Sequence, residues 1–286
     1  MAQRKDILII GIIYRTYDET LRYADSLSKF PDKPFHLLLV DNSEEIAPAD
    51  FTTALNKYDF LEYYKSSGNH GYMAGAEEGL EKFKKENPYF PEWVLVTNVD
   101  IVFDDFHFFE ILKSYTGRSA VGMVAPSIIS SKWGTDYNPE KMHRYSLARL
   151  RFYQVLYSCF LFNNVYTLLS YAKRGLIKAF QGKERVKDLE TIVEKKIYAP
   201  HGSCMIFHKD YFDRGGTFRH FSFLFGEEIF VAETTLKLGL DVVYNQSMRV
   251  LDYEHASIGW FVSPKLNRYH RTSNREIIRN FFLPDK

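Results

Sequence analysis

Five clusters of polar residues fall where hydrophobic runs of the chain stop, and each has side chains able to do chemistry. Asn98-Val99-Asp100 follows the run Trp93–Thr97. A carboxylate there suits a hard divalent cation, which takes oxygen ligands and keeps waters and substrate phosphates, so one or two protein carboxylates suffice. Such an ion would neutralise a leaving diphosphate; the same aspartate would equally cap a helix beginning at Asp104-Asp105. Asp41-Asn42-Ser43 offers a carboxylate and an amide that can read the imide edge of uracil or thymine, or can close an Asx turn. Gly68-Asn69-His70-Gly71-Tyr72-Met73-Ala74-Gly75 combines glycines, which let backbone approach a ligand, with the start of a helix, which favours anions. It matches neither GxGxxG nor a Walker A loop, and it reads also as a turn with small packing residues. Phe225-Gly226-Glu227-Glu228 places two carboxylates at a helix start. One can act as the base that deprotonates an attacking hydroxyl, or both can serve only as favourable charge at the helix N-terminus. In Tyr253-Glu254-His255 the imidazole can complete a metal site or contact a diphosphate, or be structural.

The elements that must position these groups are legible from periodicity. Asp6–Tyr14, Phe35–Val40, Phe60–Lys65 and Trp93–Thr97 are apolar runs of strand length, and Asp18–Phe30, Pro48–Lys57 and Tyr72–Lys85 read as helices between them. Alternation of this kind predicts right-handed crossovers and a parallel sheet, whose ligands sit beyond the carboxyl ends of the strands. Asp41, Asn69 and Asp100 each follow such an end. Further on, Ala120–Ala125 reads as a strand closed by Pro126, 141–195 as an insertion, and Ile197–Phe207 as short strands around Gly202. Gly226–Leu238 reads as a helix stopped by Gly239, and Asp241–Tyr244 and Arg249–Asp252 as two short strands.

Composition narrows the class. The 286 residues, 45% hydrophobic, can fill one substantial core, and a net charge of +1 gives no reason to expect a nucleic-acid partner. Two cysteines, Cys159 and Cys204, build no disulfide framework, and Met1–Asp6 lacks the layout of a signal peptide, so a cytoplasmic setting is expected. Charge is segregated: Lys141–Lys187 holds ten Lys or Arg against Glu184 alone, and 21 uncharged residues separate Arg151 from Lys173. Asn163-Asn164 in the middle of that stretch argues against a membrane span. The alternatives are an interfacial element lying on an anionic membrane surface, a helical subdomain that packs on the sheet, or a homodimer contact.

In order and spacing the clusters resemble the family 2 glycosyltransferases, in particular their bacterial rhamnosyltransferase-like branch, over roughly residues 6–130 and 197–260. The resemblance rests on Asp41-Asn42-Ser43, Asn69-His70-Gly71-Tyr72 with Gly75 and Gly79, Val96-Thr97-Asn98-Val99-Asp100, Gly202-Ser203-Cys204-Met205, Phe225-Gly226-Glu227-Glu228 and His255. It implies a GT-A fold, α/β, with a Rossmann-like, mostly parallel central sheet flanked by helices and a helical basic and aromatic insertion. The chain would form one domain: 1–100 for the nucleotide sugar, 101–262 for the acceptor including the insertion 141–195, and a helical tail 263–286. Tyr14, Asp41, Asn69, Gly71, Tyr72, Gly75 and Asn98 would line the nucleotide-sugar site, with Asp41 touching the base. Asp100 and His255 would hold Mg²⁺ or Mn²⁺, and Glu228, with Glu227 beside it, would be the catalytic base. The implied activity is inverting transfer from a UDP- or dTDP-sugar to a glycan or lipid-linked saccharide in cell-surface polysaccharide synthesis, on the inner face of the membrane. This chain departs from the family pattern in Tyr14-Arg15 for Tyr-Asn, Ala76-Glu77 for Asn-Asn, and Glu228 for aspartate. A nucleotidyltransferase would need a basic phosphate-gripping loop after the first strand, where Gly11–Arg15 offers one arginine. A catalytically inactive nucleotide-sugar-binding or membrane-docking scaffold would keep the binding clusters without the base.

Overall fold

The computed structural model describes residues 5–169, 193–253 and 262–283. Two compact units emerge, one of Met1–Arg144, Glu194–Phe223 and Glu227–His255, the other of Tyr145–Val193, Leu224–Gly226 and Ala256–Lys286. The first is built on a nine-stranded sheet. Its amino-terminal half is β1 (Ile7–Ile13), α1 (Tyr17–Ser28), β2 (Phe35–Asp41), α2 (Ala49–Leu55), β3 (Leu61–Lys65), α3 (Tyr72–Glu86) and β4 (Trp93–Asn98). Then come β5 (Ile101–Val102), α4 (Phe108–Lys113) and β6 (Val121–Ser130); after the second unit's helices, β7 (Glu194–Ile197), β8 (Cys204–His208), α7 (Lys209–Asp213), α8 (Glu227–Lys237) and β9 (Asp241–Asp252).

The strand order is β3-β2-β1-β4-β8-β6-β9-β5, with β7 on β9. β3, β2, β1 and β4 run parallel, as the alternation of runs and helices predicts. Beyond β4 the sheet is mixed: β8 is antiparallel to β4 and β6, β6 and β9 are parallel, and β5 and β7 run against β9. The expected parallel order therefore holds through β3-β2-β1-β4, and beyond it the sheet is mixed.

β1 is a continuous apolar run because both its faces are covered. Ile7, Ile9 and Ile13 join a core with Tyr23, Leu27, Leu37, Leu39, Phe103 and Phe108. On the opposite face Ile10 and Val40 meet α3 so closely that a Cβ on Gly79 would lie 2.8 Å from Val40. Pro126 does not end its strand: β6 continues to Ser130 with a register shift against β9 between Pro126 and Ser127, the place where a residue without an N–H is tolerated. Asp104 and Asp105 do not open a helix. The two-residue β5 intervenes, Asp104 pairs with Arg249 at 3.0 Å, Asp105 accepts from the His107 N–H at 2.9 Å, and α4 begins at Phe108. The segments Asp241–Tyr244 and Arg249–Asp252 are one strand, not two.

The second unit contains α5 (Leu147–Leu156), a helical stretch α6 over 160–169, and α9 (Pro264–Ile277) continuing into a π-turn, Ile278–Phe282. The remainder of the basic segment, from 170 to 187, and His255 lie outside the described residues. Among the described residues no helix is long and apolar enough to cross a membrane.

Candidate active site

The carboxyl ends of β1, β2 and β3 carry a polar rim. Ser43 accepts from the Arg15 N–H at 2.9 Å, and Arg15, held at φ 60°, reaches Glu44 and Glu45. Its guanidinium lies 5.2 Å from the ring centre of Tyr14, itself 44% exposed. Asn69 donates to Glu44 at 3.4 Å and accepts from the Gly71 N–H at 3.1 Å, an Asx turn that starts α3. Arginine in left-handed backbone is uncommon enough to mark a constrained site.

Asp41 closes the end of β2. Its carboxylate is fully buried, accepting from Tyr63 at 2.7 Å and Lys65 at 3.2 Å on one oxygen and from the Ser43 N–H at 2.9 Å on the other. Lys65 extends the network to the carbonyls of Ser43 and Glu45. A carboxylate held in this way fixes the strand-end loop. Asn42 is buried beside it, donates to the Gly71 carbonyl at 3.0 Å, and packs against Gly75. Its side-chain oxygen has no hydrogen-bond partner.

Gly71 joins the two halves of the sequence. It sits at φ 88°, and a Cβ there would lie 2.0 Å from the carbonyl oxygen of Phe223, so only glycine fits. Phe223 leads toward the paired glutamates, which open α8: Glu227 is buried and Glu228 half-buried.

A second junction forms at Gly202-Ser203. A Cβ on Gly202 would come within 2.9 Å of Glu228 Oε1, so the missing side chain is what leaves room for the carboxyl group. The Gly202 carbonyl accepts from the Tyr72 hydroxyl at 2.9 Å, and the Ser203 carbonyl from the Asn98 N–H at 2.9 Å. The Ser203 hydroxyl donates to Asp252 at 3.1 Å. Asp252 ends β9 opposite Ile101, and the Tyr253 N–H donates to the Asp100 carbonyl at 3.1 Å, so two carboxyl-bearing residues occupy neighbouring strand ends. The Ser131 N–H binds the Asp252 carbonyl at 2.8 Å, at the start of a turn that carries the exposed Trp133.

Electrostatics follow from this packing. Burial pushes the Glu228 carboxyl above its ordinary value of 4.5, opposed by the nearby His201. Burial likewise raises the Tyr72 hydroxyl well above its usual range, with Cys204, Glu227, Tyr23 and Asp100 adding to the effect. Among the described residues no three His, Cys, Asp or Glu side chains gather into a ready-made metal cage. Asp100 and Asp252 supply hard oxygen donors on adjacent strand ends, a donor set that fits an ion completed by phosphate oxygens and water.

Sequence reasoning gave no role to Asp252 or Trp133 and none to His201, which stacks on Tyr137 at 5.1 Å and accepts from the Ser203 N–H at 3.3 Å. His208, also without an expected role, is buried against Glu92 at 3.0 Å, away from these groups in the sheet.

The central nine-stranded sheet and its helical flanks match the GT-A glycosyltransferase fold. Two of the solved structures that resemble the chain show the likeness. One is the mannosyltransferase PcManGT from Pyrobaculum calidifontis in complex with GDP-Man and Mn²⁺, at TM-score 0.52 and 12% identity over 99% of this chain and 67% of that one. The other is GalNAc-T7 with UDP, GalNAc and Mn²⁺, at TM-score 0.59 and 10% identity over 96% of this chain and 48% of that one. At such identities the likeness is one of fold. No protein-family model matches the sequence, and no curated protein does.

Proposed function

We propose that the chain is a divalent-metal-dependent glycosyltransferase that moves a sugar from a nucleoside diphosphate to an acceptor hydroxyl with inversion at the anomeric carbon. The observation that carries the reading is the Gly202-Ser203 junction, which gathers Glu228, Tyr72, Asn98 and Asp252 from four elements. Glu228 is the base. Its carboxyl has space over Gly202, and partial desolvation makes it more basic toward an acceptor hydroxyl. Glu227, buried beside it in the first turn of α8, adds a second carboxylate at the helix start.

The nucleotide lies over the ends of β1, β2 and β3, with Tyr14 as an exposed wall and Asp41 shaping the loop from below. Asn69, Gly71, Tyr72 and Gly75 border the diphosphate and sugar at the start of α3, and Asn98 closes the floor. Asp100 and Asp252, with His255 as a further candidate, would hold Mg²⁺ or Mn²⁺, which supplies charge neutralisation for the departing diphosphate. The two structural neighbours carry Mn²⁺ with GDP-Man or UDP, which supports a nucleotide-sugar donor and a metal in this class of fold. UDP- and dTDP-sugars are the donors proposed, and a glycan or lipid-linked saccharide the acceptor, as in the rhamnosyltransferase-like branch of family 2. Trp133 offers that acceptor an aromatic face.

A panel of UDP-, dTDP- and GDP-sugars tests this, read first by thermal shift with and without Mn²⁺, since a bound donor raises apparent stability. Nucleotide release and the anomeric configuration of the product follow. Metal-dependent stabilisation by one donor, with transfer and inversion, is the expected result. Binding without release or transfer for every donor would leave a scaffold, and a retained configuration would remove Glu228 as the base.

A further inference from the structure

The helices of the second unit bury an asparagine network beside the apolar Leu150, Leu156, Ile277 and Ile278. Asn163 donates to Asn267 at 2.9 Å, Asn267 to the Tyr157 carbonyl at 3.0 Å, and Asn274 to the Leu150 carbonyl at 3.0 Å. Asn164 both donates to and accepts from the backbone of Val262. Asn163, Asn267, Ser273 and Asn274 are each buried. On the outside, α5 and α6 expose Phe152, Val155, Leu161, Phe162, Leu168 and Leu169, all more than half accessible. Scattered exposed apolar side chains are ordinary, but a dense set along two successive helices marks an interaction surface.

The charge in the same unit says what covers it. Along α9 and its π-turn, Lys265, Arg268, Arg271, Arg275 and Arg279 are exposed at spacings of three and four, one stripe of a helix. Glu276 is the one acidic side chain in that span, and it sits 3.8 Å from Arg279. No helix among the described residues can span a bilayer. A second copy of α9 would bring the stripe the same cationic excess, with Glu276 alone to oppose it. An anionic lipid surface satisfies both at once: acyl chains and glycerol take the aromatic and aliphatic side chains, and headgroup phosphates take the cations.

We propose that the second unit, through α5, α6 and α9, docks the protein in the interface of an anionic membrane without crossing it. The inference does not rest on the proposed transferase activity, because it concerns side chains of the second unit alone.

Flotation of the full chain with phosphatidylglycerol-rich vesicles and with phosphatidylcholine vesicles tests it. The expected result is binding to the anionic vesicles that weakens as salt rises, with little binding to neutral ones. Arg268→Gln with Arg271→Gln and Arg275→Gln is expected to lower partitioning on the order of a hundredfold. Leu161→Asp with Phe162→Asp is expected to abolish it. Both variant sets change exposed positions, so circular dichroism and melting temperature should match the parent. Equal binding to both vesicle types, absence of binding, or binding untouched by both variant sets would overturn the proposal. So would a concentration-dependent dimer in sedimentation that Leu161→Asp with Phe162→Asp dissolves, which would make the face a contact between copies.

Discussion

Glu228 is one methylene longer than the aspartate expected at its position, and the empty side of Gly202 is where that length is accommodated. Replacing it with glutamine keeps the shape and removes the proton acceptor. We expect kcat to fall about 10²–10⁴-fold with the melting temperature little changed. Because burial raises its pKa, the acid limb of the kcat profile should lie above the ordinary glutamate value of 4.5, activity being lost as pH falls through it. A limb at or below that value would point to another base. Asp252→Asn tests the metal corner: the Mn²⁺ concentration for half-maximal activity should rise while donor-free stability changes little, since the Ser203 hydroxyl can still donate to the amide oxygen. Asp100→Ala should abolish metal-dependent donor stabilisation in a thermal shift. Of these residues Glu228 and Asp100 stood out in the sequence, because each follows a strand or opens a helix. Asp252 did not, because its place beside Asp100 is made by pairing of strands about 150 residues apart.

At the scale of elements, the junction of α3 with the segment before α8 depends on a single missing side chain. Gly71→Ala must accept a left-handed backbone and displace the Phe223 carbonyl at once. The combined cost is about 2–4 kcal/mol, read as a lower urea midpoint with an unchanged slope. A neutral substitution would mean that Phe223 moves aside freely. The glycine was visible in the sequence as a turn before a helix, but its partner was not, since 152 positions separate them. Asp41 makes the complementary point. Its type and location suggest a ligand contact, but the side chains that hold it from the neighbouring strand, Tyr63 and Lys65, show only in the fold.

Across the whole molecule, two histidines make stability depend on pH. His220 and His270 are partly buried, and that burial lowers each to about 4 from 6.5. His270 is stacked between Phe225 at 3.7 Å and Tyr157 at 5.0 Å. With folded values depressed, the unfolded chain takes up the protons first. Stability is therefore full above pH 6.5 and declines as pH falls toward 4, each group contributing on the order of 2–3 kcal/mol across that window. Melting temperature should drop between pH 7 and pH 5, and His270→Phe, which preserves the stack, should flatten that slope. An unchanged slope would show that the imidazole is not kept neutral by its stack.

The sequence by itself determined the parallel half of the sheet, because strands buried on both faces must be continuous apolar runs and helices between them must be periodic. It also located the strand-end clusters and the segregation of positive charge. Tertiary structure alone decided that the strand ends bearing Asp100 and Asp252 lie side by side, that Tyr63 and Lys65 hold Asp41, and that Asn163 and Asn267 face inward while Leu161 and Leu168 face out. Contacts between distant strands and the orientation of a helix about its axis depend on how elements pack, and local periodicity carries no record of either.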